Sequence, residues 1–280
     1  MASELLDDFP GKLLYCVCKI IMTDFNGKEH HSTGFWYATN IDDKQVFGVL
    51  TAKHCFENYS SAVLKLCRAD YLTGKPLDKL ACDIFLSTEV LDKWLVNDKN
   101  EDICFVILQV NNVPTTKLIK QPFLIPITDE IFLDIKKAND FFLAQDVVMI
   151  GYPQGIYDDV NNKAVLRKGI ISTPIKIDFK GKPEFLIDIS CHKGSSGSPV
   201  FILDKDTYME DNAILPGPRL LFLGIFIGGW EEITDSGTIV DANFDGECKT
   251  ISIKIPNNLG YVVKNSCIAN IKALIRDRLL

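Results

Sequence analysis

Short runs of apolar residues, separated by turn-forming segments, recur along most of the chain. Val, Ile, Phe and Tyr dominate these runs, and few of the runs are long enough to form a helix. The pattern predicts a mostly β protein whose strands include residues 13–22, 46–51, 61–67, 103–110, 147–150, 200–203 and 220–227.

The end of the chain has a different pattern. Apolar residues recur there at helical spacing, namely Ile268, Ile271, Ile275 and Leu279. Asn265 or Ser266 stands where a helix cap is expected. These residues predict a C-terminal amphipathic helix that packs its apolar face against the rest of the protein.

Residues 113–140 interrupt the strand pattern, because they combine Pro114, Pro122 and Pro126 with mixed periodicity. We therefore expect this segment to connect two β halves, residues 1–120 and residues 121–280, with the terminal helix belonging to the second. A chain of 280 residues is long enough for two coupled domains.

The composition is that of a globular chain, with 47% hydrophobic and 24% charged residues. The formal net charge of -7 gives no general attraction to nucleic acid or to anionic membrane surfaces, so we expect neither as a partner. No apolar run reaches the roughly 18 residues that a membrane-spanning helix needs.

The first residues are acidic and the apolar run after them is broken by Lys19, which is unlike a secretory signal. We therefore expect a cytoplasmic protein, with a secreted mature form as the alternative. The nine cysteines are odd in number, scattered, and often embedded in apolar runs. We expect them to be reduced and mostly buried.

The segment 188–201, DISCHKGSSGSPVF, places Ser196 between Gly194 and Gly197 just before a predicted strand. Glycines on both sides permit a tight turn. In such a turn the N–H groups of Gly194 and Ser196 can stabilise an oxyanion while the serine hydroxyl attacks an acyl carbon. By itself the segment also fits a plain Ser/Gly-rich turn.

Two further residues are of the types that a serine nucleophile needs. His54 follows an apolar run and is a candidate general base, because a histidine just past a buried strand can present one ring nitrogen to a cleft. Asp102 directly precedes another apolar run, where an acid is costly unless it is hydrogen-bonded, so it is the candidate that orients the imidazole. Asp98 and Glu101 are nearby competitors that do not adjoin the apolar run.

These motifs, in the order His, Asp, Ser, together resemble the trypsin/chymotrypsin-like serine protease family. The segment 32–36, STGFW, resembles the family's strand before the histidine motif, and the segment 224–229, GIFIGG, resembles its specificity-pocket wall. The sequences GSSGSPVF and IGYPQG are similar to those of the bacterial branches, namely Deg-type proteases and glutamyl endopeptidases.

The resemblance implies an all-β fold of two antiparallel six-stranded β-barrels of the chymotrypsin type, followed by the C-terminal α-helix. The first barrel carries His54 and Asp102, and the second carries Ser196. The implied activity is that of a serine endopeptidase working through an acyl-enzyme, with His54 as base and then acid, Asp102 as its orienter, Ser196 as nucleophile, and Gly194 with Ser196 as oxyanion donors.

The implied substrate is a protein or peptide, and no cofactor or metal is implied. The alternative function is a catalytically silent module that uses the same fold to bind a partner. A third interpretation, a metal or redox site through Cys16 and Cys18 and through Cys191 and His192, has little support. We expect Cys16 and Cys18 to share one face of a strand as buried thiols.

The resemblance also implies a substrate pocket lined by Ser190, Cys191, His192, Phe226, Ile227, Gly228 and Gly229. Ser190 lacks the charge that would attract Lys or Arg, and Phe226 stands where glutamyl endopeptidases use a histidine to bind Glu. We therefore expect a small or apolar side chain at the cleavage site. Ser195 stands where many family zymogens carry the aspartate that pairs with a new N-terminus, so we expect the full-length chain to be active without trimming, or controlled by other means.

Overall fold

The computed structural model describes residues 11–116, 120–135, 143–210, 213–239 and 249–280. Strands make up most of the structure, which confirms the β prediction, and the apolar runs of the sequence lie in them. The first run is an exception in part, because its beginning forms a 3-10 turn, Gly11–Tyr15, before the strand starts. No helix within the described ranges has both the length and the apolar character needed to cross a membrane.

The N-terminal half forms an eight-stranded antiparallel sheet with a short helix, α1 (Thr88–Trp94), that contacts strands at both edges of the sheet. Its strands are β1 (Val17–Asp24), β2 (Glu29–Ile41), β3 (Lys44–Thr51), β4 (Tyr59–Ala69), β5 (Pro76–Leu86), β6 (Leu95–Asn97), β7 (Cys104–Val110) and β8 (Val113–Pro114). They lie in the order β5-β4-β1-β2-β3-β7-β6, with β8 paired to β7. The described part of this half is an open sheet and not the expected six-stranded barrel, because no pairing there joins β5 to the strand at the opposite edge, β6.

The C-terminal half contains a closed barrel of six strands, as expected for this half. The barrel strands are β9 (Asp146–Gly151), β10 (Val165–Ile171), β11 (Glu184–Asp188), β12 (Pro199–Asp204), β15 (Arg219–Ile239) and β16 (Lys249–Lys264). They follow one another around the barrel in the order β10-β11-β16-β15-β12-β9. A small hairpin of β13 (Thr207–Glu210) and β14 (Ala213–Pro216) lies between β12 and β15 in the chain.

One hydrophobic cluster contains residues of both halves. It joins Phe35 and Phe105 of the N-terminal sheet to Phe201 and Phe222 of the barrel. The Phe35 and Phe222 rings lie 5.4 Å apart between centroids, so the two halves pack directly on each other. This contact fixes the position of β2 relative to the barrel, which matters for the site described below.

The predicted C-terminal helix is present as α2 (Ile268–Leu279), and Ile268, Ile271 and Ile275 are buried in the shared cluster. The predicted cap is wrong. Cys267 occupies the N-cap position and no side chain caps the helix, because a 3-10 turn, Asn265–Cys267, leads into it. The Asn265 amide instead donates to the backbone carbonyls of Leu133 and Phe222.

Eight cysteines lie in the described residues, and all eight are unpaired and buried, as expected, whereas Cys248 falls outside those residues. The expectation that Cys16 and Cys18 share one strand face is wrong. Cys16 precedes β1 and packs in the cluster shared by the two halves, whereas Cys18 packs in the separate core of the N-terminal sheet. The chain turns into the strand between these positions, so the alternation of a regular strand does not apply.

Candidate active site

His54 lies in a 3-10 turn, Lys53–Phe56, that follows the end of β3, and Asp102 lies just before β7. Strands β3 and β7 pair side by side, with Thr51 opposite Cys104, so the two segments meet at the same edge. The Asp102 carboxylate accepts two hydrogen bonds from His54, one from the backbone N–H at 2.9 Å and one from Nδ1 at 2.6 Å. This double contact fixes the imidazole plane and leaves Nε2 as the nitrogen directed away from Asp102.

The contact with Asp102 favours the charged imidazolium. It raises the pKa of His54 to about 10, with the neighbouring Cys55 side chain adding to the effect and burial opposing it. A group with this pKa is protonated at neutral pH and becomes a base only as the pH rises.

The competing acids occupy different positions. Asp98 is buried, and its Oδ1 accepts from the backbone N–H groups of Asn100 and Glu101, so it closes its own turn. Burial raises the pKa of Glu101, with the neighbouring Asp98 adding to the effect. Neither acid contacts His54 among the described residues, so Asp102 is the carboxylate that the fold places against the imidazole.

Ser196 lies in the loop between β11 and β12, flanked by glycines whose conformation other residues rarely adopt. Gly194 and Gly197 both have a φ of 86°. A Cβ on Gly194 would lie 2.5 Å from the Tyr152 carbonyl oxygen, and one on Gly197 would lie 2.0 Å from that of Thr33. Within the described chain, the N–H groups of Gly194 and Ser196 have no hydrogen-bond acceptor, so both remain available to a substrate oxygen.

Strand β2 of the N-terminal half holds this loop. The carbonyl of Ser196 accepts from Thr33 N–H at 3.0 Å and from the Ser32 hydroxyl at 2.8 Å, and Thr33 Oγ1 donates to the carbonyl of Gly194 at 2.8 Å. Ser32 Oγ also lies 2.7 Å from Cys55 Sγ. Because the Ser32 proton is given to Ser196, the Cys55 thiol is the donor in that contact.

Ser32 therefore connects the two sides of the site, since its contacts reach the residue next to His54 and the backbone of Ser196. The Ser196 hydroxyl donates to the carbonyl of Ile227 at 3.3 Å. In the described residues no hydrogen bond joins this hydroxyl to His54. Hydrogen bonds of this kind are often loose without substrate and tighten when it binds.

Of the residues expected to line a substrate pocket, the first three lie in the loop 189–198 that carries Ser196, called the nucleophile loop below, and the other four lie on β15. Ser190 and His192 are exposed, Cys191 and Phe226 are buried, and Ile227, Gly228 and Gly229 are half-buried on β15. A Cβ on Gly229 would lie 2.5 Å from Cys191 Cβ, and one on Gly260 would lie 2.5 Å from the Phe226 ring and 3.1 Å from Cys191 Sγ. The space beside these two glycines is thus already filled by Cys191 and Phe226.

The sequence pattern does not mark Ser32, Thr33 or Arg167 as part of the site. The polar contacts of Ser32 with Cys55 and Ser196, and those of Thr33 with Gly194 and Ser196, join positions far apart in the sequence. Arg167 of β10 donates from Nη1 to the carbonyl of Ser190 at 2.6 Å and from Nη2 to Ser195 Oγ at 2.9 Å. An isolated arginine in a strand gives no sequence pattern that would reveal these contacts.

The barrel, the His54–Asp102 pair and the glycine-flanked Ser196 together form the candidate site. Residues 33–206 match the family model described as a trypsin-like peptidase domain. The match covers more than half of the chain, so this protein belongs to the trypsin-like peptidase family.

Solved structures with similar folds include three proteases. They are a serine endoprotease from Yersinia pestis (16% identity, TM-score 0.46, 94% of this chain and 64% of that one), the thermostable serine protease AL20 from an extremophilic microorganism (13%, 0.49, 94% and 97%), and protease Anisep from Arthrobacter nicotinovorans (12%, 0.46, 93% and 95%). The chain thus spans 64% of the length of the Yersinia protein. No curated protein matches the sequence. Family membership rests on the match to residues 33–206.

Proposed function

We propose that this protein is a serine endopeptidase that hydrolyses peptide bonds through His54, Asp102 and Ser196. The observation that carries the proposal is the doubly hydrogen-bonded pair of His54 and Asp102, held beside the nucleophile loop through Cys55 and Ser32. Family membership supports the hydrolase class, and this pair supports the assignment of roles to residues.

In the proposed acylation step, Ser196 Oγ attacks the carbonyl carbon of the substrate while its proton passes to Nε2 of neutral His54. The carbonyl oxygen becomes an oxyanion that accepts hydrogen bonds from the N–H groups of Gly194 and Ser196. The C–N bond then breaks, and the imidazolium gives its proton to the leaving amine. Water repeats the sequence on the ester, which releases the acid and restores Ser196.

Asp102 keeps its negative charge throughout. Its bond to Nδ1 holds the tautomer in which Nε2 is unprotonated, and its charge stabilises the imidazolium that forms. For the nucleophile to reach His54, the Ser196 hydroxyl must leave the Ile227 carbonyl, which is a rotation about a single side-chain bond.

The pocket geometry supports a small residue, such as Gly, Ala or Ser, on the acyl side of the cut. Cys191 and Phe226 occupy the space beside Gly229 and Gly260. A bulky side chain would need the Phe226 ring to move, and that ring is only 1% exposed.

A fluorophosphonate probe tests the proposed nucleophile directly, because it forms a covalent bond only with an activated serine. We expect labelling of Ser196 that is lost in Ser196→Ala and in His54→Ala, and retained in Ser172→Ala, a serine of the same half outside the loop. Labelling that persists in His54→Ala would remove His54 as the base.

The silent binding module remains the second candidate. It predicts no labelling of the folded protein and no hydrolysis of a proteome-derived peptide library, together with retained binding of a peptide. The same library, if it is cut, reports the residues on both sides of each cleavage.

A further inference from the structure

Arg167 lies on β10, and its side chain crosses beneath the nucleophile loop. The guanidinium donates to the carbonyl of Ser190 at 2.6 Å and to the hydroxyl of Ser195 at 2.9 Å. These acceptors lie near the two ends of the turn that contains Gly194 and immediately precedes Ser196. A planar guanidinium can hold two such points at a fixed separation, which a flexible ammonium group cannot do.

The cation is bound without a counter-charge. Among the described residues, no carboxylate forms an ion pair with Arg167, and its Nε is buried without an acceptor. Burial lowers the pKa of the guanidinium accordingly. Arg167 is half-buried, and a partly desolvated cation without an anionic partner gains no stability from charge pairing, so its two hydrogen bonds to the loop are the feature to be explained.

The two sides of the loop are held differently. On the side of the N-terminal sheet, Thr33 and Ser32 bind the carbonyls of Gly194 and Ser196. On the side of the barrel, Arg167 binds the loop at Ser190 and Ser195. A carbonyl shares its peptide plane with the N–H of the next residue, so the bonds from Ser32 and Thr33 hold the peptide units next to those of the Gly194 and Ser196 N–H groups. The bonds from Arg167 hold the chain at the Ser190 carbonyl and at the Ser195 side chain. With the chain held at these points, the Gly194 and Ser196 N–H groups that a substrate oxyanion would meet have fewer directions open to them.

We propose that Arg167 is a positioning residue that fixes the turn 190–195 so that the N–H groups of Gly194 and Ser196 face the substrate oxygen. It acts through the loop and does not contact the reacting atoms. This inference rests on the proposed peptidase function.

The test compares steady-state hydrolysis and fluorophosphonate labelling in the wild type, Arg167→Met, Arg167→Lys and Arg167→Ala. Misplacing a catalytic group by about 1 Å costs on the order of 100-fold, so we expect Arg167→Met to lower kcat by about that factor. We expect KM to change little, because ground-state binding does not use the oxyanion donors. Arg167→Lys keeps the charge and one hydrogen bond, so its kcat should lie between that of the wild type and that of Arg167→Met.

Guanidinium rescue separates positioning from a general structural effect. Arg167→Ala leaves a cavity that free guanidinium ion can enter, at concentrations far below those that unfold proteins, and we expect the ion to restore part of kcat. Arg167→Met fills the cavity and should not respond. Lys168→Ala is the matched control, because Lys168 is the next residue on β10 and forms only an exposed ion pair with Asp146.

Ser195→Ala tests the same bond from the other side if the Arg167 variants fold poorly. It removes the acceptor of Nη2 and should lower kcat. In the double variant with Arg167→Met, the loss should be no larger than that of Arg167→Met alone, since the two residues share one interaction.

The outcomes distinguish this inference from the function on which it rests. An active wild type with unchanged kcat in Arg167→Met and in Ser195→Ala overturns the positioning role and leaves the peptidase intact. A change confined to KM for substrates with an acidic side chain at the cleavage site overturns it as well, because Arg167 would then be a specificity residue. A wild type that neither labels nor hydrolyses removes both proposals.

Discussion

Replacing Asp102 with asparagine is the most informative perturbation of the proposed mechanism, because it keeps the shape of the side chain and removes its charge. Asp102 now accepts from both the N–H and Nδ1 of His54. An asparagine has one acceptor oxygen, which can keep the backbone bond, and its NH₂ group then faces Nδ1. The imidazole must turn Nδ1 into an acceptor, so its proton moves to Nε2, where it blocks the uptake of the Ser196 proton.

We expect Asp102→Asn to lower kcat by about 10⁴-fold in the pH range where His54 is unprotonated in both proteins, the cost typical of the wrong tautomer. The pH profile should change as well. With Asp102 present, the pKa of His54 is about 10, so kcat/KM should rise as the pH increases towards that value and His54 loses its proton. Without the carboxylate, this pKa falls towards its ordinary value, about 6.5, and the rising limb moves to lower pH.

The assay is hydrolysis of a chromogenic peptide ester from pH 5 to pH 11, with thermal melting at each pH to show that the protein is folded. Asp98→Asn is the control, because Asp98 is an equally close acid in sequence whose carboxylate accepts its hydrogen bonds within its own turn. A kcat for Asp102→Asn within tenfold of the wild type, or an equal loss in Asp98→Asn, would refute the assigned roles.

Three further predictions concern the pocket and the core. Phe226→Val opens space beside Gly260, so it should raise kcat/KM for peptides with Leu or Phe on the acyl side of the cut by about tenfold or more. Unchanged selectivity in a peptide-library digest would contradict the pocket assignment. Asn265→Ala should lower the free energy of unfolding in urea by roughly 1–3 kcal/mol, since two buried carbonyls lose their donor; no loss would show that water replaces the amide. Burial raises the pKa of Cys16 to about 12 and that of Cys191 to about 11. Neither thiol should therefore react with a disulfide-exchange reagent at pH 8 until the protein unfolds, and the absorbance of the released reagent thiolate measures the reaction.

The sequence was most informative where local chemistry is distinctive. The glycines around Ser196 indicate two backbone positions with positive φ, and Asp102, placed directly before an apolar run, indicates a hydrogen-bonded acid, which contacts His54. Apolar runs predicted strands well where both faces are buried, as in β7. The terminal helix was predictable because its three isoleucines repeat with the helical period.

Other elements could not be predicted from the sequence, because their structure depends on contacts with residues that are distant along the chain. Strand β5 mixes Asp and Lys with apolar residues, and Leu80 and Phe85 are exposed, so its strand character comes from pairing with β4. The helix α1 is too short for periodicity to reveal it. The contacts of Arg167 join positions that are near only after the barrel has closed.

The dependence of the nucleophile loop on Ser32 and Thr33 has a consequence for biosynthesis. His54 and Asp102 leave the ribosome early, whereas the barrel that carries Ser196 closes only when β16, near the end of the chain, has been made. Under the proposed function, a nascent chain consequently has no assembled centre with which to attack neighbouring proteins, and hydrolytic competence arrives only when the last strand docks. Two separately expressed fragments, divided in the connection between the halves, should each be inert and should gain activity only on mixing.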